Sequence, residues 1–193
     1  MSDVTARPGR EPLVLADLLP GALVRDVLLV AGAAGLTGLL AQVSFHLSFT
    51  PVPVTGQTLA VLLSGTALGW LRGTAAMVLY ALAGVAGVPW FAGHSSGYAS
   101  ASFGYIVGFV ACAALCGYLA GRRADRHLLT CVPAMLAGEV ALYAFGLTWL
   151  AIDLHTGPAE TLSLGLTPFL AGDAVKAALA AALLPAAWRL TRR

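Results

Sequence analysis

The sequence predicts an all-α membrane protein with six transmembrane helices and both termini on the cytoplasmic side. Two properties of the chain lead to this fold class. Its composition is 59% hydrophobic and only 10% charged, whereas soluble proteins carry about 25% charged residues. Its arginines lie before the first apolar segment, after the last one and in alternate connections between them, which is the pattern that sets the orientation of multi-pass proteins.

Six apolar windows approach the length of about 20 residues that a helix needs to cross a bilayer. We expect the spans at 27–43, 56–71, 74–90, 103–120, 131–152 and 168–188. Together they form a membrane domain over residues 25–193. A cytoplasmic N-terminal segment, 1–24, precedes it, and the stretch from Leu13 to Val24 is a candidate interfacial helix.

The basic residues fix the expected orientation. Arg25 precedes the first span and Arg72 separates the second from the third. The arginines that follow the fourth and sixth spans are Arg122, Arg123, Arg126, Arg189, Arg192 and Arg193. The other connections, 44–55, 91–102 and 153–167, contain no lysine or arginine. The positive-inside rule therefore places these three connections outside.

Tryptophans favour the same orientation, because this residue is enriched where a membrane meets water. Trp70 and Trp188 fall at the predicted inner ends of spans, and Trp90 and Trp149 fall at the outer ends. We expect all four to be interface anchors.

The first span carries small residues at helical spacing. Ala31 pairs with Gly35, and Ala34 pairs with Gly38, each four positions apart. Such a ridge lets another helix approach closely. The neighbour is either a helix of the same chain or a different membrane subunit, and the sequence leaves both open.

The sixth span contains the only lysine of the chain, Lys176, three residues after Asp173. A charge in hydrocarbon costs roughly 2.5–3.5 kcal/mol on insertion scales, so it is rare without a use. The spacing places both groups on one helix face, where each offsets the desolvation of the other. The pair predicts a polar site inside the bundle, with a purely structural salt bridge as the alternative.

Further polar candidates lie in and beside the outward connections. The prolines at 51 and 53 enforce an extended segment that leads into Thr55, Gln57 and Thr58, where Thr55 is alternatively a helix cap. The glycine-rich stretch 91–98 is flexible enough to act as a lid. Tyr80 and Tyr143 lie within spans, where each phenol binds either a ligand or a neighbouring backbone group.

Several classes of function are excluded. A Walker A loop requires Gly-Lys followed by Ser or Thr, but Lys176 lies between Val175 and Ala177. ATP-driven work must therefore come from another polypeptide. The chain shows no zinc-ligand pattern and no nucleophile–base pair, so we expect neither an enzyme nor a metal site. A retinal protein is disfavoured by six spans and by tryptophans at the interfaces.

Five sequence blocks together resemble the BioY family, the biotin-specific S components of energy-coupling-factor (ECF) vitamin transporters. The blocks are Phe49–Leu63, Leu79–Ala92, Gly104–Phe109, Leu142–Leu150 and Pro168–Lys176. The resemblance implies an S-component-like helical bundle in a bacterial or archaeal cell membrane that captures biotin from outside with high affinity. It also implies docking, through Ala31, Ala34, Gly35 and Gly38, on a transmembrane coupling subunit driven by two ATPases. No cofactor and no nucleic-acid partner are expected.

The resemblance also implies a site for biotin, whose ureido ring offers two N–H donors and a carbonyl acceptor. Asp173 is expected to accept from a ureido N–H, and Lys176 to bind either the ureido oxygen or the carboxylate of biotin. The expected substrate-binding residues are Asp173, Lys176, Gln57, Thr55, Val54, Tyr80, Phe91, Gly104, Tyr105 and Tyr143. Two alternatives stay open: a self-sufficient ion-coupled vitamin carrier with Glu139 or Asp173 as its proton site, and another vitamin as the ligand.

Overall fold

The computed structural model describes residues 14–19 and 23–191, and these are helical apart from turns, loops and one short pair of strands. The helices are α1 (Leu23–Ala41), α2 (Gln57–Val85), α3 (Phe103–Gly121), α4 (Leu128–Leu154), α5 (Pro158–Gly165) and α6 (Leu170–Thr191). The two-residue strands β1 (Ser44–Phe45) and β2 (Val54–Thr55) pair antiparallel between α1 and α2. Single 3-10 turns cover Leu15–Leu18, Ala92–His94 and Ala124–Arg126.

The α2 helix is folded in two at Gly69. This residue has φ 81° and ψ 174°, a conformation that glycine adopts readily because it has no Cβ. The amide of Gln57 lies 2.7 Å from the hydroxyl of Tyr80, although 23 residues of straight helix would span about 34 Å. The limbs 57–68 and 70–85 therefore lie side by side in opposite directions.

Within the described ranges, five helices are long and apolar enough to cross a membrane, namely α1, α2, α3, α4 and α6. The predicted spans 56–71 and 74–90 are the two limbs of α2, and the second limb ends at Val85, five residues earlier than expected. The short α5 was not predicted and lies within the connection 153–167. The chain is a multi-pass membrane protein, while six crossings and their orientation stay predictions.

The bundle is built around α3, which packs between α2 and α4, while α6 packs against α2 and α4. Large apolar side chains fill its centre, such as Leu62 and Met135, both 0% exposed. Equally apolar residues cover the outside, and Leu129 is 90% exposed. Lipid tails are as apolar as leucine, so a membrane accommodates such an exterior.

The N-terminal segment contacts the bend of α2. The side chain of Val14 is 5% exposed and faces Gly69. Asp17 and Asp26 each lie 2.9 Å from the guanidinium of Arg72. Of the candidate interfacial helix, Leu15–Leu18 form a single 3-10 turn, Leu23 and Val24 begin α1, and positions 13 and 20–22 lie outside the described residues.

The expectation that Trp188 is an interface anchor is wrong. Trp188 is 3% exposed, and its indole N–H donates to the carboxylate of Asp125. The guanidinium of Arg126 lies 3.3 Å from the ring centroid of Trp188. Burial raises the pKa of the Asp125 carboxyl, while the bond from Trp188 lowers it. These three residues, called here the Trp188 cluster, join the connection between α3 and α4 to the end of α6.

The small residues of α1 divide between two roles. Ala34 is fully buried, and a Cβ at Gly38 would lie 3.2 Å from Cβ of Trp90. These two residues therefore pack within the chain. Ala31 and Gly35 are exposed, and Gly35 has no neighbour within 4 Å of a built Cβ. Of the four residues predicted to dock on another subunit, only Ala31 and Gly35 are therefore exposed.

Candidate ligand-binding site

A cavity of about 450 Å³ lies at the end of the bundle where the connections 44–55 and 91–102 meet. Ligand sites in proteins commonly have volumes of about 300–1,000 Å³. Four helices contribute to its wall: α2 provides Gln57 and Thr58, α3 Ile106 and Phe109, α4 Leu142 and Tyr143, and α6 Asp173 and Lys176. The two connections close its loop side with residues such as Val52 and Phe91.

The charged pair predicted from the sequence forms in this wall. The ammonium of Lys176 lies 2.8 Å from Oδ1 of Asp173, with side chains 15% and 7% exposed. The hydroxyl of Tyr143 donates to Oδ2 of Asp173. The carboxylate is thus held by a charge on one oxygen and by a phenol on the other. Each partner limits the cost of burying it.

A second polar group comes from α2. Nε2 of Gln57 donates to the hydroxyl of Tyr80 at 2.7 Å, and that hydroxyl donates to the carbonyl of Trp90 at 3.1 Å. The hydroxyl of Tyr80 therefore fixes the orientation of the Gln57 amide. Gln57 lines the cavity, so its amide is a candidate partner for a ligand. The hydroxyl of Thr55 accepts from the backbone N–H of Gln57, the first residue of α2, at 3.3 Å, although the N-cap position itself is Gly56.

The cavity brings together seven of the ten predicted site residues. They are Asp173, Lys176, Gln57, Thr55, Phe91, Tyr105 and Tyr143. Tyr105 is held by a bond of 2.7 Å from its hydroxyl to the carbonyl of Gly165, and its ring lies edge-on to that of Tyr143. The role of these residues in binding stays a prediction.

Three predicted site residues lie outside the cavity wall. Val54 is paired with Phe45 in the short sheet, and Val52 lines the cavity instead. Tyr80 lies behind Gln57 and Phe91, so it positions them without reaching the cavity. Gly104 faces away from the cavity, since a built Cβ would contact the side chain of Trp149.

Sequence reasoning missed most of the apolar wall. Its missed members include Val52, Phe103, Ile106, Phe109, Leu142 and Phe169. One of these residues, Phe169, could have been predicted from the helical spacing of the charged pair. Phe169 precedes Asp173 by four positions and Lys176 by seven, which places all three on one helix face.

The segment 91–97, called here the lid, closes one side of the cavity. Its lining residues are Phe91, Ala92, Gly93, Ser95, Ser96 and Gly97. Phe91 is 4% exposed and its ring lies over Gly84, where a built Cβ would overlap it. The backbone N–H of Gly97 donates to the carbonyl of Gly84 at 2.9 Å. Gly84 thus leaves room for the ring that forms the cavity wall.

Glu139 lies one helical turn from Tyr143 on α4 and is 7% exposed. Its Oε1 has no hydrogen-bond partner among the described residues. It does not line the cavity. It is a second buried carboxyl group, which lies beside the site and is not part of its wall.

The site combines directional polar groups with an apolar wall. A carboxylate and an amide oxygen accept hydrogen bonds, an ammonium donates them, and aromatic and aliphatic side chains cover a ring. Such a set suits a small, uncharged polar ring with donors and an acceptor on one edge. No group of three or more metal-ligating side chains occurs within the described ranges.

Comparison of this sequence with known proteins indicates its family. The model of the BioY family matches residues 10–193. The chain is 36% identical over 172 residues to a biotin transporter BioY from Rhizobium etli, covering 82% of this chain and 90% of that protein. It is also 36% identical over 159 residues to a probable biotin transporter BioY from Pyrococcus horikoshii, covering 81% and 91% of the two chains.

The fold has a counterpart among solved structures. The crystal structure of the S component for biotin from an ECF-type ABC transporter superposes with a TM-score of 0.78 at 21% identity. The superposition covers 88% of this chain and 92% of that one. Components of BioY-family transporters are not enzymes. The match across nearly the whole chain shows that this protein belongs to the BioY family.

Proposed function

We propose that this protein binds biotin tightly from outside the cell and serves as the substrate-binding subunit of an ECF-type transporter. The observation that carries the proposal is the Asp173–Lys176 pair in the wall of a ligand-sized cavity. Family membership supports biotin as the ligand, because the related proteins are biotin transporters or probable biotin transporters.

The chemistry of biotin fits the cavity wall. The free face of the Asp173 carboxylate accepts from a ureido N–H, and the Gln57 carbonyl oxygen accepts from a second donor. Lys176 donates either to the ureido oxygen or to the carboxylate of the biotin tail. Phe109, Ile106 and Phe169, which line the same cavity, cover the apolar thiophane ring.

Calorimetric titration of the purified protein with biotin tests this function. We expect saturable binding of one biotin per chain and weaker binding of desthiobiotin, which keeps the ureido ring but lacks the sulfur bridge. Other vitamins serve as controls. A folded protein that binds another vitamin more tightly than biotin would contradict the assignment of the ligand.

Docking of a coupling subunit on α1 is the second part of the proposal. Ala31 and Gly35 are exposed on α1, and the chain has no Walker A loop for ATP. We expect Gly35→Leu to abolish copurification with a transmembrane coupling subunit while leaving biotin binding intact. Gly121→Leu is a matched control, because Gly121 also has no neighbour within 4 Å of a built Cβ. Equal copurification of both variants would remove α1 from the docking surface.

We also infer six membrane crossings, with the lid and the other arginine-free connections outside. The lid and the connection 44–55 meet at the cavity, whereas Arg72 contacts the N-terminal segment at the bend of α2. The three native cysteines are buried, which allows labelling of single introduced cysteines. An impermeant maleimide added to intact cells should label Ser96→Cys and not Arg123→Cys; the reverse pattern would invert the orientation.

One observation favours the alternative of a self-sufficient ion-coupled carrier. Glu139 is a buried carboxyl group whose Oε1 lacks a partner among the described residues, as a proton site requires. Such a carrier would take up biotin in cells without any coupling ATPase, and Glu139→Gln would stop that uptake. In cells without a coupling ATPase, we expect neither the wild type nor Glu139→Gln to take up biotin.

A further inference from the structure

Gln42 joins the end of α1 to the lid. It follows directly after α1, and its Nε2 lies 3.1 Å from the carbonyl of Gly38 in the last turn of that helix. The same nitrogen lies 3.2 Å from the carbonyl oxygens of both Trp90 and Phe91. Its Oε1 accepts from the backbone N–H of His94 at 3.2 Å. One side chain therefore contacts the helix, the start of the lid and its middle.

The bond to His94 holds a strained turn. His94 has φ 58° and the preceding Gly93 has φ 65°, so two consecutive residues are left-handed. A non-glycine residue in this conformation costs on the order of 1–3 kcal/mol and persists only where its surroundings hold it. Gln42 supplies such a restraint from a different element of the fold.

The restrained turn forms part of the cavity. Phe91, Ala92, Gly93 and Ser95 lie on both sides of the bonded positions and all line it. A ligand in contact with these residues leaves more easily when the turn relaxes. Gln42 itself does not line the cavity, so it does not contact the ligand. Its restraint on the turn therefore affects the rate at which the ligand leaves and not the groups that recognise the ligand.

The lid is also fastened to α2, and this attachment is independent of Gln42. Gly97 donates to the carbonyl of Gly84, and the indole N–H of Trp90 donates to the carbonyl of Tyr80 at 3.0 Å. Loss of the Gln42 contacts thus releases the lid from α1 while its two ends stay in place.

We propose that Gln42 is a positioning residue that fastens the lid to the end of α1 and thereby sets the rate at which ligand leaves the cavity. The identity of that ligand as biotin rests on the proposed function. Because α1 also carries the exposed Ala31 and Gly35, a displacement of this helix on docking would be transmitted to the lid through the same side chain.

The test is the dissociation rate of radiolabelled biotin from purified Gln42→Met, chased with unlabelled biotin. Methionine keeps the length and approximate volume of the side chain but cannot form these bonds. We expect dissociation on the order of tenfold faster and association changed by less than about threefold, since changes at one interface act mostly on dissociation. A merely structural role would lower the active fraction without changing the rate from the active molecules.

Two further variants calibrate the result. Gln42→Glu retains an acceptor for the N–H of His94 but places a carboxylate oxygen against the carbonyls of Gly38, Trp90 and Phe91, so biotin should dissociate from it at least as fast as from Gln42→Met. Thr148→Val removes an exposed hydroxyl bonded to the carbonyl of Ala144, outside the cavity wall, and should dissociate at the wild-type rate.

Hydrogen exchange gives a readout that needs no ligand. The His94 amide should be protected in the wild type and exchange faster in Gln42→Met. A His94 amide that exchanges at the rate of an unprotected peptide in the wild type would overturn the proposal, and so would an unchanged dissociation rate in Gln42→Met. Failure of the wild type to bind biotin would instead overturn the proposed function.

Discussion

Two buried clusters of charged and aromatic side chains lie at opposite ends of the bundle and differ in what they face. At one end Asp173 is bonded by Lys176 and Tyr143 in the wall of a cavity. At the other end Asp125 is enclosed by Trp188 and Arg126, and none of these three residues lines that cavity.

The difference shows why a buried charge alone does not identify a binding site. Both carboxylates are almost inaccessible, with exposures of 5% for Asp173 and 1% for Asp125. Asp125 lies under an indole and a guanidinium, so its partners complete the packing between two elements. Asp173 and Lys176 leave polar surface toward a ligand-sized space. We therefore expect changes at the first cluster to alter binding and changes at the second to alter stability.

The largest effect should come from the charged pair. We expect Lys176→Ala and Asp173→Asn each to weaken biotin binding at least about tenfold, because each removes a charged ligand partner and leaves the other buried charge without its counter-ion. Titration of the purified variants measures this. Arg189→Ala, an exposed basic residue at the far end of α6, is the control. Near-native affinity in both pair variants would make the pair a structural salt bridge.

A smaller effect is expected at Gly84. An added methyl group in Gly84→Ala overlaps the ring of Phe91, and overpacking of this kind costs about 1–3 kcal/mol. The ring must move toward the cavity or displace the lid, so biotin affinity should fall roughly fivefold or more. Gly121→Ala, with no neighbour within 4 Å, should bind as the wild type does. Equal affinities would show that the Phe91 ring does not contribute to the bound state.

Tyr80→Phe should have a modest effect through Gln57. The change removes the acceptor that fixes the Gln57 amide and the donor to the Trp90 carbonyl. A neutral hydrogen bond contributes about 0.5–1.5 kcal/mol, so a loss of roughly threefold to tenfold in affinity is expected. Tyr118→Phe is the exposed control. An unchanged affinity would mean that Gln57 does not need this support.

At the opposite end, Trp188→Phe should leave biotin affinity unchanged and lower stability. The variant leaves the buried Asp125 carboxylate without the indole donor, which costs about 1–3 kcal/mol. A lower Tm in detergent, compared with the exposed Trp70→Phe, would record it. A change in biotin affinity without a change in Tm would remove the distinction between the two ends.

Local sequence spacing was sufficient to predict the charged pair. The interval of three residues predicted the contact between Asp173 and Lys176, and the bond of 2.8 Å confirms it. The extended segment before Gln57 and the glycine-rich lid were also recognisable, since their residues restrict or free the backbone in known ways. Both contribute to the cavity wall.

The orientation of helix faces was not predictable in the same way. A membrane helix is apolar toward both lipid and protein, so its sequence carries little signal for which face points inward. Gly104 and Tyr80 were therefore expected at the cavity but lie away from it. The same ambiguity left open whether Ala34 and Gly38 pack within the chain or against another subunit. Trp188 was misassigned because the rule for interface tryptophans ignores a nearby carboxylate that can bind the indole.

A crystal structure of the protein grown with biotin tests the central claim most directly. We predict the ureido ring within hydrogen-bonding distance of Asp173 and Lys176, with the thiophane ring among Ile106, Phe109 and Phe169. Biotin bound elsewhere, for example in the apolar groove of α3 and α4 beside Trp149, with the cavity lacking ligand, would contradict it.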